Sequence, residues 1–198
     1  MVSTHLRRVT LHPGEYRVSS EPVVFSTLLG SCVAVCLYDP DLGVMGMNHF
    51  LLANPRYPKQ APIVESDAGR YGIHAMELLV NALLQAGAKR ARLEAKAFGG
   101  GNVVAVPDGG RGGRFSVGEV NVRFVREFFQ RDAIPLVASD LGGDYGRQIH
   151  FDGSDYGVYM RRIVTTEVRQ IEREETRYLE ESLEEQRRRE ADARAEFW

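Results

Sequence analysis

Residues 26 to 36 read STLLGSCVAVC, in which a small polar Gly-Ser-Cys corner is followed at once by an apolar run from Val33 to Leu37. Short runs rich in β-branched residues are typical of buried strands. A thiol at the edge of such a strand is held by a rigid scaffold, as a nucleophile must be. A free cysteine is nevertheless most often a packing residue. Cys32 therefore needs a chemical partner before it can be assigned a reaction.

His49 is the candidate partner. It follows Cys32 by seventeen residues and lies near the end of a second apolar stretch, Val44 to Leu52. The segment between the two stretches, Asp39 to Gly43, is rich in turn-forming residues and favours a hairpin. A cysteine and a histidine on adjacent strands can meet although they are distant in sequence.

The composition is that of a globular protein, with 198 residues, 43% hydrophobic and 26% charged. A formal net charge of -2 gives no reason to expect a nucleic-acid or anionic-membrane partner. The two cysteines, Cys32 and Cys36, would lie roughly 13 Å apart on one strand, which is beyond disulfide reach. That usage fits a reducing compartment. With no signal-peptide core and no membrane-spanning run, the sequence predicts a cytoplasmic protein with no membrane insertion.

Strands outnumber helices in the remaining pattern, and hairpin-like links outnumber crossovers. An apolar face from Ile73 to Leu84 predicts one helix that stops at Gly87, and Val117 to Arg131 predicts a second. Residues 53 to 70 and 107 to 114 are predicted to be loops. Further strands are predicted at Tyr16 to Ser19, Val23 to Phe25, Leu93 to Phe98, Ile134 to Ala138, Gln148 to Phe151 and Val158 to Ile163. This order favours an α+β fold with a mixed or antiparallel sheet flanked by helices.

Four blocks of this sequence, in this order, resemble the chemoreceptor glutamine deamidase family, CheD. They are LGSCVAVCL at 29–37, GMNHF at 46–50, KAFGG at 96–100 and DLGG at 140–143. The first block with its histidine seventeen residues on is the specific part, and the resemblance covers roughly residues 9 to 163. It implies an α/β/α-type sandwich and a cysteine-dependent amidohydrolase, placed here in a domain of residues 1–165.

The resemblance also implies a substrate and partners. The substrate would be the side-chain amide of glutamines on cytoplasmic helices of methyl-accepting chemotaxis receptors, and the product glutamate. Family members can also hydrolyse methylglutamate esters and bind a CheC-type CheY-P phosphatase; no cofactor is implied. The chemistry of the residues agrees, because a poor electrophile such as an amide needs a strong nucleophile and a proton donor. Cys32 would form a thioester, and His49 would carry the protons.

The third catalytic residue is ambiguous from sequence. The family often has a threonine six positions before the nucleophile, and here Ser26 occupies that position while Thr27 follows it. On a strand the two hydroxyls face opposite sides, so only one can orient His49. Spacing favours Ser26 and residue type favours Thr27; we prefer Ser26. Candidate oxyanion or substrate contacts are Gly30, Ser31, Asn48, Phe98, Gly99 and Gly100.

Two other classes of function remain open at this stage. One is a metal site using Cys32, Cys36 and His49, although no CxxC or HxxxH spacing supports it. The other is a non-catalytic adaptor that binds receptor or regulator. Retention of both Cys32 and His49 argues against the adaptor.

The last segment, residues 166–198, differs from the rest in being dense in Glu and Arg. It predicts a charged helical extension outside the domain, because it offers little apolar surface to offset its ordering entropy. Its thin apolar seam consists of Val168, Ile171, Tyr178, Leu179 and Leu183, and Glu175 and Ser182 interrupt it. Such a seam could dock on another helix or associate with a second copy; the alternative is a solvated helix with no role.

Overall fold

The computed structural model describes residues 6–52, 62–103, 116–163, 171, 173–182, 184–185 and 188. Across these residues the strands are β1 (Arg8–Thr10), β2 (Tyr16–Ser19), β3 (Val24–Leu29), β4 (Val33–Asp39), β5 (Val44–Phe50), β6 (Glu94–Gly99), β7 (Leu136–Leu141), β8 (Gly146–Asp152) and β9 (Val158–Ile163). The two long helices are α1 (Asp67–Gln85) and α2 (Val117–Arg131). The predicted loop at 107–114 lies outside the described residues.

The strands form two sheets. One has four strands in the order β1-β3-β8-β9, and the other has five in the order β2-β5-β4-β6-β7. The β1–β3 and β6–β7 pairs are parallel, and the other pairs are antiparallel. The prediction of an α+β fold with mixed sheets is confirmed.

The layers are set by strand β4, whose residues are all buried. Val33 and Val35 pack with the helices, while Ala34 and Cys36 pack with residues of the four-stranded sheet. The order is therefore helices, five-stranded sheet, four-stranded sheet. The structure differs here from the α/β/α arrangement, because the layer opposite α1 and α2 is a second sheet. An apolar strand face that packs on a sheet has the same residue pattern as one that packs on a helix.

The β4–β5 hairpin is present as predicted. Its register pairs Ala34 with His49 and Val33 with Phe50, so Cys32, one residue before β4, lies beside the end of β5. Gly43 closes the turn with a φ of +79°, and Asp39 accepts hydrogen bonds from the backbone N–H groups of Asp41 and Leu42.

Both long helices begin at a serine cap. Ser116 forms a capping box with Glu119 at the start of α2, whose bounds match the prediction. Ser66 accepts a hydrogen bond from Gly69 N–H, so α1 begins at Asp67, inside the segment predicted to be a loop. The first part of that loop, residues 53–61, lies outside the described residues. Within the described part of the chain, no helix is both long and apolar enough to cross a membrane.

The C-terminal segment is helical at residues 171, 173–182, 184–185 and 188, and we call it the tail helix. Ile171 and Glu175 are only 2% and 3% exposed, and Tyr178 and Leu179 pack against the core between the sheets. The tail helix therefore contacts the domain. Two predicted seam residues, Val168 and Leu183, lie outside the described residues. The domain boundary at residue 165 stays a prediction.

Candidate active site

The backbone of Gly30, Ser31 and Cys32 forms a corner between β3 and β4, and a glycine loop after β6 fixes its position. Gly100 N–H donates to the Cys32 carbonyl at 2.7 Å, and Gly101 N–H donates to the Gly30 carbonyl at 2.7 Å. At Gly99, φ is +115° and a Cβ would stand 2.2 Å from the Cys32 carbonyl oxygen. The structure thus places Gly99 and Gly100 behind the corner, where they hold its backbone.

Asn121 ties the same corner to α2. Its amide nitrogen donates to the Ser31 carbonyl at 2.9 Å, and its amide oxygen accepts from Leu52 N–H at 2.8 Å. It is completely buried. The sequence pattern alone left Asn121 open between a helix-surface amide and a residue of the site. Its position beside Val120 on the apolar stripe of α2 was the available signal, because a buried amide on such a stripe must find partners.

Thr27 orients His49. The Thr27 hydroxyl donates to the Leu11 carbonyl at 2.8 Å, so its oxygen must accept the 2.8 Å hydrogen bond from Nδ1–H of His49. The proton of a neutral imidazole is then on Nδ1, and Nε2 carries a lone pair. This Nε2 atom is buried without a hydrogen-bond partner in the described part of the chain. His49 Nε2 is therefore available to accept a proton.

Ser26 is the wrong hydroxyl for this contact. It lies one residue earlier on β3 and points to the other face of the sheet, where its oxygen is 2.7 Å from Nδ1 of His150. Phe25 and Leu29, on the same side as Thr27, pack in the core between the two sheets. The preference for Ser26 from spacing is corrected: the face of β3 that meets β5 is the one that carries Thr27.

The structure holds the Cys32 thiol and the His49 imidazole in their neutral forms. Burial raises the pKa of Cys32 well above its usual range, and the nearby charge of Glu175 raises it further. Burial lowers the pKa of His49 to about 4, although the charge of Glu175 acts in the opposite direction. Burial also raises the pKa of Cys36. At neutral pH the structure therefore shows a resting thiol–imidazole pair.

The side chain of Glu175 occupies the corner. One carboxylate oxygen accepts from Gly30 N–H at 2.8 Å and from Cys32 N–H at 3.0 Å. The other accepts from Ser31 N–H at 2.8 Å and from the Ser31 hydroxyl at 2.5 Å. We call these four donors the carboxylate cradle. The predicted oxyanion residues Gly30 and Ser31 both belong to it.

The same three side chains could also be considered as the ligands of a metal ion. A thiol sulfur, a ring nitrogen and a carboxylate oxygen from Cys32, His49 and Glu175 lie within 4.8 Å of one another. Cys36 does not belong to this group, so the site differs from the metal site considered from sequence. The four cradle bonds use the four lone-pair positions of the Glu175 carboxylate, which leaves none for a metal. The geometry fits an anion cradle better than a metal centre.

Asn48 and Phe98 lie away from the cradle. The Asn48 amide accepts from Val35 N–H at 3.0 Å and donates to the Ala75 carbonyl at 3.3 Å, on the helix side of the sheet. Phe98 packs in the core between the sheets. The structure gives both residues packing and hydrogen-bonding roles next to the site.

Glu175 itself was missed by sequence reasoning, which treated it as an interruption of the seam. It lies four residues after Ile171 and four before Leu179, on the same helical face. A carboxylate within an apolar face signals a specific polar partner, because burying a charge without hydrogen bonds is costly. The partner, 143 to 145 residues earlier in the chain, could not be read from the pattern.

Comparisons with known proteins point to one family. The family model described as CheD chemotactic sensory transduction matches residues 52–162. A protein of Geobacter sulfurreducens named probable chemoreceptor glutamine deamidase CheD 1 is 52% identical over 160 residues, which cover 80% of this chain and 78% of that protein. The probable chemoreceptor glutamine deamidase CheD 2 of Shewanella oneidensis is 47% identical over 178 residues, covering 89% and 88%. A further relative, from Agrobacterium fabrum, is 48% identical over 153 residues, covering 76% of this chain and 77% of its own length. The chain belongs to the CheD family.

Proposed function

We propose that this protein hydrolyses the side-chain amides of specific glutamines in methyl-accepting chemotaxis receptors, giving glutamate and ammonia. The carrying observation is the arrangement of Cys32, His49 and Thr27 beside a cradle that already holds a glutamate side chain. The relatives' names, which specify chemoreceptor glutamine deamidase, support the same reaction.

In the first half of the reaction the thiol forms a thioester. His49 Nε2 takes the proton of Cys32, and the sulfur attacks the carboxamide carbon of the substrate. The imidazolium then returns the proton to the departing nitrogen, which leaves as ammonia. Thr27 fixes Nδ1–H throughout, so that Nε2 is the only ring position free to exchange protons with substrate.

In the second half a water molecule replaces ammonia. His49 accepts a proton from the water as it attacks the thioester carbon, the C–S bond breaks, and the thiol is restored. The balance is one amide and one water consumed for one carboxylic acid and one ammonia formed. Gly30 N–H and Cys32 N–H converge on a single oxygen position, which is the geometry an oxyanion needs in both halves.

Hydrolysis of glutamate methyl esters is a second candidate reaction. The observation that favours it is the cradle itself, because an ester and an amide yield the same carboxylate product. Methanol leaves more easily than ammonia, so the same residues suffice for the ester. Parallel assays on methylated and glutamine-bearing receptor fragments distinguish the two by their relative kcat/KM.

Receptor helices and a cytoplasmic location follow from this function, and the resemblance adds a CheC-type CheY-P phosphatase as a further partner. We propose that the protein binds this phosphatase as well as the receptor. Both complexes can be assembled from purified components. Light-scattering mass of the mixed proteins tests the phosphatase complex; an unchanged mass at micromolar concentration would remove it from the proposal.

The function is tested by mass mapping of a purified receptor cytoplasmic fragment after incubation with the protein. Wild type should convert particular glutamines to glutamate and release ammonia. Cys32→Ala and His49→Ala should each abolish conversion, and the double variant should be no worse than either, because the two groups act as a unit. Cys36→Ala is the matched control: it removes an equally buried thiol four residues further along the chain, within β4, and should retain turnover.

Two results would contradict the proposal. Conversion by the Cys32→Ala protein at the wild-type rate would remove the nucleophile assignment. Binding of the receptor fragment by wild type without any glutamine conversion would favour the adaptor hypothesis.

A further inference from the structure

The tail helix contacts the active site through one face. Ile171, Glu175, Tyr178 and Leu179 follow the spacing i, i+4, i+7 and i+8, which places them along a single stripe. Leu179 lines the pocket beside Ser31, and Tyr178 packs against Gly14 and shares a 2.5 Å hydrogen bond with Tyr71. The contacts therefore extend to both sides of Glu175.

The backbone near the site leaves room for this helix. A Cβ on Gly30 would stand 2.9 Å from an Ile171 methyl and 3.0 Å from a Glu175 oxygen. A Cβ on Gly14 would stand 2.6 Å from the Tyr178 ring. Two glycines thus permit a close helix approach, one beside the nucleophile and the other about one helical turn away. This surface is a groove shaped for a helix.

The chemical group at the centre of the groove is the reaction product. Glu175 presents a γ-carboxylate, the group that hydrolysis of a glutamine amide creates, with its oxygens in the cradle beside Cys32 and His49. No Lys or Arg among the described residues forms an ion pair with it. Its partners are backbone N–H groups and one hydroxyl. These donors lie beside Cys32, where the proposed reaction needs them to stabilise the oxyanion. Glu175 therefore occupies a site whose donors serve the substrate.

We propose that the tail helix occupies the substrate groove as an intramolecular product mimic, with Glu175 standing where the newly formed glutamate of a substrate helix would stand. The inference rests on the proposed function. It further specifies the substrate as a helix that enters the same groove with its target glutamine at the position of Glu175. Substrate and tail then compete for one site.

Competition has a defined kinetic consequence. The apparent affinity for substrate is the intrinsic affinity reduced by the fraction of molecules whose groove is open. Undocking the tail should therefore lower KM and leave kcat unchanged. A glutamine in the cradle would turn its NH₂ group, which cannot accept a hydrogen bond, towards some of the N–H donors. Glutamate should therefore bind the cradle more tightly than glutamine.

The first experiment turns the mimic into a substrate. In the full-length Glu175→Gln protein, Cys32 should attack the amide of residue 175, and water should then release glutamate and ammonia as in the proposed reaction. Peptide mass mapping after incubation should find glutamate at position 175. Glu175→Gln combined with Cys32→Ala should keep its glutamine. Glu180→Gln, at an exposed position on the same helix, should also keep its glutamine and serves as the matched control.

The second experiment measures access to the thiol without any substrate. Ile171→Asp and Glu175→Ala, in the full chain, should each undock the tail and speed alkylation of Cys32 by iodoacetamide about tenfold or more, because thiolate formation and access both improve. The same variants should lower KM for receptor fragment by about the same factor at constant kcat. Glu180→Ala should change neither quantity.

The outcomes separate the inference from the function it rests on. If receptor glutamines are converted but the glutamine introduced by Glu175→Gln is not, or if alkylation is as fast in wild type as in the undocked variants, the product-mimic inference fails and the deamidase function stands. If neither receptor nor position 175 is converted, the function fails and the inference with it. Conversion at both positions, with faster alkylation on undocking, supports both.

Discussion

Two buried carboxylates in this molecule have opposite surroundings. The side chain of Asp39, at the end of β4, is fully buried and accepts hydrogen bonds from the Arg92 guanidinium at 2.7 to 3.1 Å and from backbone N–H groups of Lys89 and Leu42. Glu175 is also buried, and among the described residues it accepts hydrogen bonds from uncharged donors alone, in the corner that contains Cys32.

The contrast shows how to tell a structural carboxylate from a bound one. Burial raises the pKa of Asp39, but the hydrogen bonds from Arg92 and the backbone outweigh it, and the net pKa is lowered. The Asp39 cluster is thus a compensated ion pair that links the hairpin to the segment before β6. The described donors around Glu175 carry no compensating charge, and in the proposed reaction they stabilise the oxyanion. A carboxylate held there resembles a ligand.

The largest expected effect is a loss of turnover at the candidate active site, where Glu175 is held. Thr27→Ala removes the acceptor for His49 Nδ1–H, so the imidazole can adopt the wrong tautomer or orientation, and we expect a loss of about 10- to 100-fold in kcat/KM. Receptor deamidation rates measure it. Ser26→Ala is the matched control, because its hydroxyl contacts His150 on the other face, and it should stay within about twofold of wild type. The reverse pattern would return the orienting role to Ser26.

The second effect is a loss of thermal stability when the buried Asp39 carboxylate is removed. Asp39→Ala leaves the Arg92 guanidinium and several backbone N–H groups without their acceptor, and we expect the denaturation midpoint to fall by about 5 °C or more. Thermal melts followed by circular dichroism measure it. Glu175→Ala should shift the midpoint by less than half as much, since water can replace a ligand in an opened cradle. An equal fall in the denaturation midpoint of the two variants would show that Glu175 stabilises the fold as Asp39 does, and would contradict the comparison.

A third, smaller effect is on the titration of Cys32, the proposed nucleophile. Burial and the Glu175 charge both raise the pKa of Cys32, with His49 and Tyr178 as the other titratable groups nearby. Removing the carboxylate and admitting water should lower this pKa. The pH profile of Cys32 alkylation in Glu175→Ala should therefore move to lower pH, because the thiolate is the reacting form. An unchanged profile, or a move to higher pH, would contradict the electrostatic part of the comparison.

The smallest effect separates the cradle's hydroxyl from its backbone donors. Ser31→Ala removes one of four hydrogen bonds to Glu175 and keeps the three N–H groups, so Cys32 alkylation should rise only about two- to fivefold. The rate in Glu175→Ala is the reference. A rise as large as in that variant would show that the Ser31 hydroxyl, and not the backbone corner, holds the carboxylate.

Local pattern determined a large part of this protein. Strand periodicity and turn residues between Val33 and Leu52 were sufficient to predict the hairpin that brings Cys32 towards His49, because register in a tight hairpin follows from the turn. The bounds of α2 followed from its apolar stripe. The blocks around Cys32 and His49 were sufficient to recognise the family.

Tertiary structure decided the rest, for reasons that a one-dimensional pattern does not contain. Alternation along β3 says that Ser26 and Thr27 face opposite sides, but which side meets His49 depends on how the two sheets stack. The second sheet layer was invisible because a strand buried on both faces has the same apolar residues whatever covers it. The role of Glu175 depends on a helix folding back over more than 140 residues to hydrogen bonds at Gly30 and Cys32, a contact that only the assembled fold creates.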